Sequence, residues 1–325
     1  MNPKSQLTAT IADIIKRRNS FLIAGHVNPD GDSLGCVCAL GIGLRRLGKK
    51  VTMLSPEGVP ELYRFLPGSE EIVQAAPAEE PCDVAITVDC EDLDRTGDAL
   101  AAVRSCETLI EIDHHPGMER ETHLALVDSS LASTAEVLIP LLHELGIEIT
   151  PDIATCLLVA IVTDTGSFRF TNVRSSTLRA AADLMDAGAS VGKVSQQVYE
   201  VRPFSSVKLL GLALTTLQTT AEGRIAYASV TQEQLEQAGA TDAETEGIPN
   251  FVRSIRGVQV GLFFREAPDG ATRVSLRSRD GFDVSKVARL FGGGGHQTAS
   301  GCTLDQPLDV AEKLVIDAVR KCMGF

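Results

Sequence analysis

Four short apolar runs organise the first half of the chain: SFLIAGH (20–26), KKVTMLS (49–55), CDVAITVDC (82–90) and ETLIEIDHH (107–115), each closing on polar residues. A loop follows the first run, and then DSLGCVCALGIGLRRLG (32–48), patterned as a helix. This β-α-β rhythm predicts an α/β fold with a largely parallel sheet and helices on both faces. STAEVLIPLLHELG (133–146) and TPDIATCLLVAIVTDTG (150–166) read as two further helices. The first opens on Ser133-Thr134 with Glu136 in its first turn, the composition that helix caps prefer.

The texture changes after residue 188. The segment DAGASVGKVSQQVYEVRPFSSVKLLGLALTTLQ is helical and less apolar, which suits a connector over 189–215. Strand-like runs then dominate: GRIAYASV, VQVGLFFRE and TRVSLRSR, the last two separated by the turn signal APDGA, which predicts a hairpin. Helical DVSKVARLF, a glycine cluster and helical LDVAEKLVIDAVRKC close the chain. A chain of 325 residues exceeds what one core usually serves. The expected layout is a parallel-sheet domain over 1–188, the connector, and a smaller α/β domain with a mixed sheet over 216–325.

The formal net charge of −13 argues against broad binding to long duplex nucleic acid, which requires basic surface. A small anionic substrate held by a metal and a few arginines remains compatible. No apolar run approaches the ~20 residues of a membrane span. The N-terminal MNPKSQLTATIADIIKRRNS is amphipathic and lacks the continuous apolar core of a signal peptide, so a cytoplasmic protein without membrane contact is expected. The eight cysteines form no C-x-x-C pair and read as buried thiols. A homodimer is kept open.

Charged residues fall where the apolar runs end. His26, Asp30 and Asp32 follow FLIAG as H-x3-D-x-D; Asp89 ends VAITVD; Asp113, His114 and His115 end LIEIDHH; Asp164 follows LLVAIVT. In open α/β sheets ligands bind beyond the carboxyl ends of the strands. Each of these residues taken singly has a bland reading, as a turn residue, a helix cap or a structural histidine. At least four carboxylates and two or three histidines converging on one crevice require a strong counter-charge. Oxygen and imidazole donors without thiolate suit Mn²⁺, Mg²⁺, Co²⁺ or Fe²⁺ better than structural zinc, and two ions balance the charge better than one.

HVNPDGDSLG, VDC, DHH, TDTGSFRF and FGGGGHQTASG, in their order and spacing, resemble the motifs of DHH/DHHA1 phosphoesterases. The likeness spans nearly the whole chain. It is greatest to the branch that acts on very short RNA (nanoRNA) and on pAp, 3′-phosphoadenosine 5′-phosphate. It implies a DHH catalytic domain and a DHHA1 substrate-binding domain. It implies one Mn²⁺ on His26, Asp30 and Asp89, and a second on Asp32, Asp89, His114 and Asp164, with Asp89 shared. Asp30 and Asp32 would then serve different cations, with Gly31 allowing a tight turn between them. Asp113 is expected to orient His114. His115 is expected to be a non-ligand that donates to the phosphate or protonates the leaving oxygen. A bridging hydroxide would be the nucleophile.

Glycines let backbone N–H groups approach an anion, and a helix starting after Gly292, Gly293, Gly294 and Gly295 would strengthen such a site. His296 adds a donor. Arg277 and Arg279 share a face if SLRSRD is extended. The resemblance implies that this second domain holds the part of the substrate that is not cleaved. Arg253 is a further candidate there, and Arg169 is placed near the metals. GLRRLGKK is not a P-loop: it ends on Lys50 where the motif needs Ser or Thr, and it ends a helix instead of opening one. The expected substrates are short RNA oligonucleotides, linear dinucleotides such as pGpG or pApA, and pAp. A family II pyrophosphatase shares the metal motifs, but its SRKKQ signature is here SRDGF. The non-catalytic alternative is a nucleotide-binding regulator.

Overall fold

A computed structural model describes residues 3–76, 82–116, 121–220, 223–245, 247–279 and 281–324. The chain divides into two compact units, Met1–Val201 and Arg202–Phe325.

The first unit is built on strands β1 (Ser20–Ala24), β2 (Lys50–Leu54), β3 (Ile72–Val73), β4 (Val84–Val88), β5 (Thr108–Asp113) and β6 (Leu124–Val127). Their order is β3-β2-β1-β4-β5-β6, and every neighbouring pair is parallel. All five residues of β4 are buried, as a strand covered on both faces requires. The helices are α1 (Pro3–Arg17), α2 (Gly31–Arg46), α3 (Leu100–Ser105), α4 (Thr134–Glu144), α5 (Pro151–Asp164), α6 (Ser175–Asp186) and α7 (Val191–Ser195). Helices α2 and α5 are apolar nearly all round and lie in the core, so their polar ends are fixed by packing and not by solvent. Chain order reverses between β1 and β4, and the crevice beyond the carboxyl ends of those strands is the position where doubly wound sheets bind ligands.

The second unit contains α8 (Phe204–Thr215), β7 (Gln218–Thr219), β8 (Ile225–Val230), α9 (Gln232–Ala238), α10 (Ile248–Arg253), β9 (Val260–Glu266), β10 (Thr272–Ser278), α11 (Val284–Leu290), β11 (Gly294–His296), β12 (Ala299–Leu304) and α12 (Leu308–Met323). The sheet order is β11-β12-β10-β9-β8-β7; β8 and β9 are parallel and the other pairs antiparallel. The β9–β10 hairpin turns at Ala267–Ala271, as expected, closed by Ala267 N donating to Ala271 O at 2.8 Å. Ile225, Leu262, Phe264, Val274 and Leu276 pack with α11 and α12; Ala226, Ala228, Val230 and Phe263 pack with α8, α9 and α10.

The helical segment 189–215 divides at the unit boundary. Val191, Val194, Val198 and Tyr199 pack on the first unit's core, whereas Leu209 and Ala213 of α8 belong to a core of the second.

Candidate metal centre

The first unit brings its acidic and imidazole groups together. His26 lies two residues beyond β1. Asp30 caps α2, its Oδ1 accepting from Asp32 N and Ser33 N at 3.0 Å each. The residue that caps this helix is therefore Asp30, while Asp32 sits in the first turn, fully buried. Asp89 follows β4 at φ 55°, a left-handed conformation that costs about 1–3 kcal/mol for a non-glycine residue and is found mainly at functional sites. His114 and His115 follow β5, and Asp164 is the last residue of α5.

His26 Nε2 lies 3.4 Å from Asp89 Oδ2 and 3.7 Å from Asp30 Oδ1. His114 Nε2 lies 3.0 Å from Asp164 Oδ2, 3.7 Å from Asp32 Oδ2 and 3.7 Å from Asp89 Oδ1. The ligand atoms of His26, Asp30 and Asp89 lie within 4.8 Å of one another, as do those of Asp32, His114 and Asp164, and those of Asp89, His114 and His115.

Two of the imidazoles are mounted alike. His26 Nδ1 is 2.7 Å from Val27 O, and His114 Nδ1 is 3.4 Å from Leu131 O, so each aims Nε2 at the carboxylates. A backbone carbonyl on Nδ1 is the usual support of a metal-binding histidine. His115 is mounted the other way: its Nδ1 donates to Asp113 Oδ1 at 2.8 Å. Asp113 Oδ1 also accepts the backbone N–H of His114 at 2.7 Å and of His115 at 3.2 Å. The ring that Asp113 orients is thus that of His115, while its hold on His114 is through the backbone.

Electrostatics follow from this crowding. Burial pushes the Asp32 carboxyl well above the usual carboxylate range, and neighbouring Asp89 and Asp164 push it further. Burial also raises Asp164, with His114 opposing. Asp30 goes the other way, because hydrogen bonding and attraction from His26 outweigh its burial. Burial alone would lower the imidazoles, but the carboxylates around them prevail. Asp30 and Asp89 bring His26 to about 10, and Asp164, Asp32 and Asp89 bring His114 to about 10. Protonated imidazoles are the counter-charge here. A divalent cation accepting the same oxygens and Nε2 atoms would replace those protons, and the donor set of carboxylate oxygens and imidazole fits such an ion.

Gly31 has a different reason from the one expected. Its backbone is not left-handed; instead, a Cβ there would stand 2.4 Å from Thr163 Cγ2. The site requires α2 and α5 to approach closely at this point. Sequence reasoning also missed Thr134. The expected cap of α4 by Ser133 is not formed among the described hydrogen bonds. Asp32 takes that place, accepting from Thr134 N at 2.7 Å and Ala135 N at 3.3 Å. Glu136 Oε2 accepts instead from Ala132 N and Thr177 Oγ1. The Ser-Thr pair was a visible signal, but it pointed only to a helix start.

Arg169 follows a turn in which Gly166, Ser167 and Phe168 all have positive φ, and its guanidinium lies 5.5 Å from the centre of the Tyr199 ring. In the second unit, Arg277 projects from β10 on the same face as Arg273 and Ser275, opposite the buried Val274 and Leu276. Arg279 lies just past the strand and is exposed. Arg253, at the end of α10, donates to Ser278 O at 3.4 Å. The glycine cluster leads directly into a strand and not into a helix. α11 ends before it, and Gly294–His296 form β11, paired with β12. Two of the glycines answer to this pairing: a Cβ at Gly293 would meet Gly301 O at 2.2 Å, and Gly295 has φ 129°. The side chain of His296 lies outside the described residues.

A doubly wound sheet carrying this carboxylate and imidazole cluster beyond its switch point defines an α/β protein with a candidate divalent-metal centre. The model of the DHH family, N-terminal domain, matches residues 20–161, and that of the DHHA1 domain matches 222–324. The chain is 34% identical to the bifunctional oligoribonuclease and PAP phosphatase NrnA of Thermus thermophilus, over 96% of this chain and 93% of the relative. It is 28% identical to the Bacillus subtilis protein of the same name, over 98% of each. An exopolyphosphatase-related protein from Bacteroides fragilis superimposes with a TM-score of 0.92 at 26% identity, over 97% of this chain and 96% of that one. RecJ of Thermus thermophilus shares the fold, with a TM-score of 0.60 at 16% identity, over 99% of this chain and 55% of RecJ. The chain belongs to the DHH/DHHA1 family of phosphoesterases. It is therefore a hydrolytic enzyme that cleaves phosphate esters.

Proposed function

We propose that this phosphoesterase hydrolyses short RNA oligonucleotides, including linear dinucleotides such as pGpG and pApA, to mononucleotides, and the 3′-phosphate of pAp. The proposed cofactor is a pair of Mn²⁺ ions in a cytoplasmic enzyme. The relatives' activities support the substrates. Among the described residues no helix is long and apolar enough to cross a membrane.

The observation that carries the reading is the divergence of the Asp89 oxygens. Oδ2 faces His26 Nε2 at 3.4 Å, and Oδ1 faces His114 Nε2 at 3.7 Å. Asp89 is thereby suited to serve two ligand sets: His26 and Asp30 on one side, and Asp32, His114 and Asp164 on the other. When bound, such a pair of cations polarises phosphoryl oxygens and lowers the pKa of an attacking water. The protein's own work is to hold the ligands, exclude water by burying Asp32 and Asp89, and move a proton. His115 does the last. With Nδ1 engaged by Asp113, its Nε2 is the atom that exchanges a proton with the substrate oxygen. Arg169 faces the phosphate, and Arg277, Arg279, Arg253, His296 and the Gly292–Gly295 backbone bind the anionic or base groups of the substrate.

The test is a panel with Mn²⁺: dinucleotides, tetranucleotides, pAp, pyrophosphate and long single strands. Dinucleotides and pAp should be turned over fastest. Faster cleavage of pyrophosphate would make the protein a pyrophosphatase and overturn the reading.

Arg277→Ala should lower kcat/KM for dinucleotides and pAp by ~10–150-fold, the loss of one charge-assisted hydrogen bond to an anion. Bis-p-nitrophenyl phosphate, which lacks such a group, should be cleaved nearly as before. Equal losses on both substrates would place Arg277 in the chemistry instead.

Metal affinity should depend on pH. In the metal-free protein His26 and His114 are protonated below about 10, and ligation requires neutral imidazoles. Apparent Mn²⁺ affinity should rise from pH 6 towards pH 9, with protons released. The linkage has the same sign. Raised imidazole pKa values stabilise the metal-free fold below about 6.5, and this is lost as pH rises towards about 10. The Mn²⁺-induced rise in Tm should therefore grow with pH. Titration calorimetry in buffers of different ionisation enthalpy checks this, and binding without proton release would contradict it.

A further inference from the structure

Thr134 touches two of the carboxylates at once. Its backbone N–H donates to Asp32 Oδ2 at 2.7 Å, and its Oγ1 donates to Asp89 Oδ1 at 3.0 Å. It is fully buried and opens α4. Asp32 is further held by Ala135 N at 3.3 Å and by Cys36 Sγ at 3.4 Å. The first turn of α4 is thus a mount for carboxylates that reach it from α2 and from the end of β4.

The side chain of Asp89 is the adjustable part of this arrangement. The terminal torsion of an aspartate is broad, so its carboxylate can roll. His26 and His114 face its two oxygens, but imidazoles committed to cations no longer donate to carboxylates. The Thr134 hydroxyl is neutral and donates to Oδ1 whether or not a cation is present. A carboxylate oxygen has room for both a hydroxyl and a cation.

We propose that Thr134 is a positioning residue: by fixing the roll of Asp89, its hydroxyl sets the affinity of the cation shared with Asp32, His114 and Asp164, and leaves the His26–Asp30 side little changed. This rests on the two-cation reading above. The asymmetry follows from the contacts. The hydroxyl binds the oxygen that faces His114, and the same residue's N–H binds Asp32, whereas Oδ2 on the His26 side is not the oxygen it touches.

The test titrates the chelator-stripped full chain with Mn²⁺ and reads free Mn²⁺ by electron paramagnetic resonance. Thr134→Val keeps the shape and removes the hydroxyl; Thr134→Ala removes it with less volume. Both should weaken one equivalent by ~10–100-fold, as loss of a ligand's hydrogen-bond partner typically does, and change the other by less than about threefold. The weakened equivalent should be the one that His114→Ala also removes. Thr134→Ser should bind as wild type, and saturating Mn²⁺ should restore turnover in Thr134→Val, which a packing defect would not allow. Wild-type affinities in both hydroxyl-lacking variants would overturn the proposal. So would equal weakening of both equivalents, or a Thr134→Ser as impaired as the valine. A wild-type chain that binds no Mn²⁺ would instead remove the two-cation reading itself, and this inference with it.

Discussion

Asp89→Asn is expected to reduce turnover of dinucleotides and pAp to background while the fold is retained. Asparagine has the shape of aspartate and tolerates the left-handed φ of 55° at this position, whereas alanine would add backbone strain. The change removes the one carboxylate whose oxygens face both His26 and His114. Mn²⁺ stoichiometry by elemental analysis should fall below that of the wild type. Two effects on stability oppose each other: Asp89 raises Asp32, a penalty the variant relieves, and it raises His26 and His114, a stabilisation the variant loses. The Tm of the metal-free variant should stay close to that of the metal-free wild type. Full activity at saturating Mn²⁺ would rule out the shared-ligand assignment.

His115→Ala should lower kcat by ~10²–10⁴, the usual worth of general acid–base help, with metal content near wild type. Asp113→Asn should resemble it. An amide keeps an oxygen for the three donors that meet at Asp113 Oδ1 but carries no charge, so its hold on the Nδ1 proton, and with it on the ring's tautomer, is weakened. Burial would lower His115, but the hydrogen bond and attraction from Asp113, with Asp89, raise it above its ordinary value. The same ring stands in a cluster with Asp89 and His114 that could hold an ion, Nδ1 lying 3.6 Å from Asp89 Oδ1. Elemental analysis decides between the roles: loss of one metal equivalent in His115→Ala would make it a ligand and not a proton donor.

The residues alone determined the α/β class and the places where chemistry could gather. Period and length marked β1, β2, β4, β5, α2, α4, α5 and the β9–β10 hairpin, because local patterning of apolar residues reflects burial directly. The charged ends of FLIAG, VAITVD and LIEIDHH, with TDTG, were legible for the same reason: each sits where a buried element stops. The short partners β3, β6, β7 and β11 carried little period of their own. They exist because a neighbouring strand offers its edge, which is a property of the sheet and not of the segment.

Tertiary structure decided the rest. The order β3-β2-β1-β4-β5-β6 put β1 beside β4, and with it His26 beside Asp89, 63 positions apart in the chain. It gave Gly31 its reason, the approach of Thr163 from α5. It assigned the cap of α4 to Asp32, 102 residues away, where the sequence offered Ser133. It gave Asp113 to the His115 ring, and it paired Gly294 and Gly295 with β12. The strand order, the Gly31 contact and the α4 cap depend on contacts between segments distant in sequence. A local pattern reports how buried a residue is, but not which partner buries it.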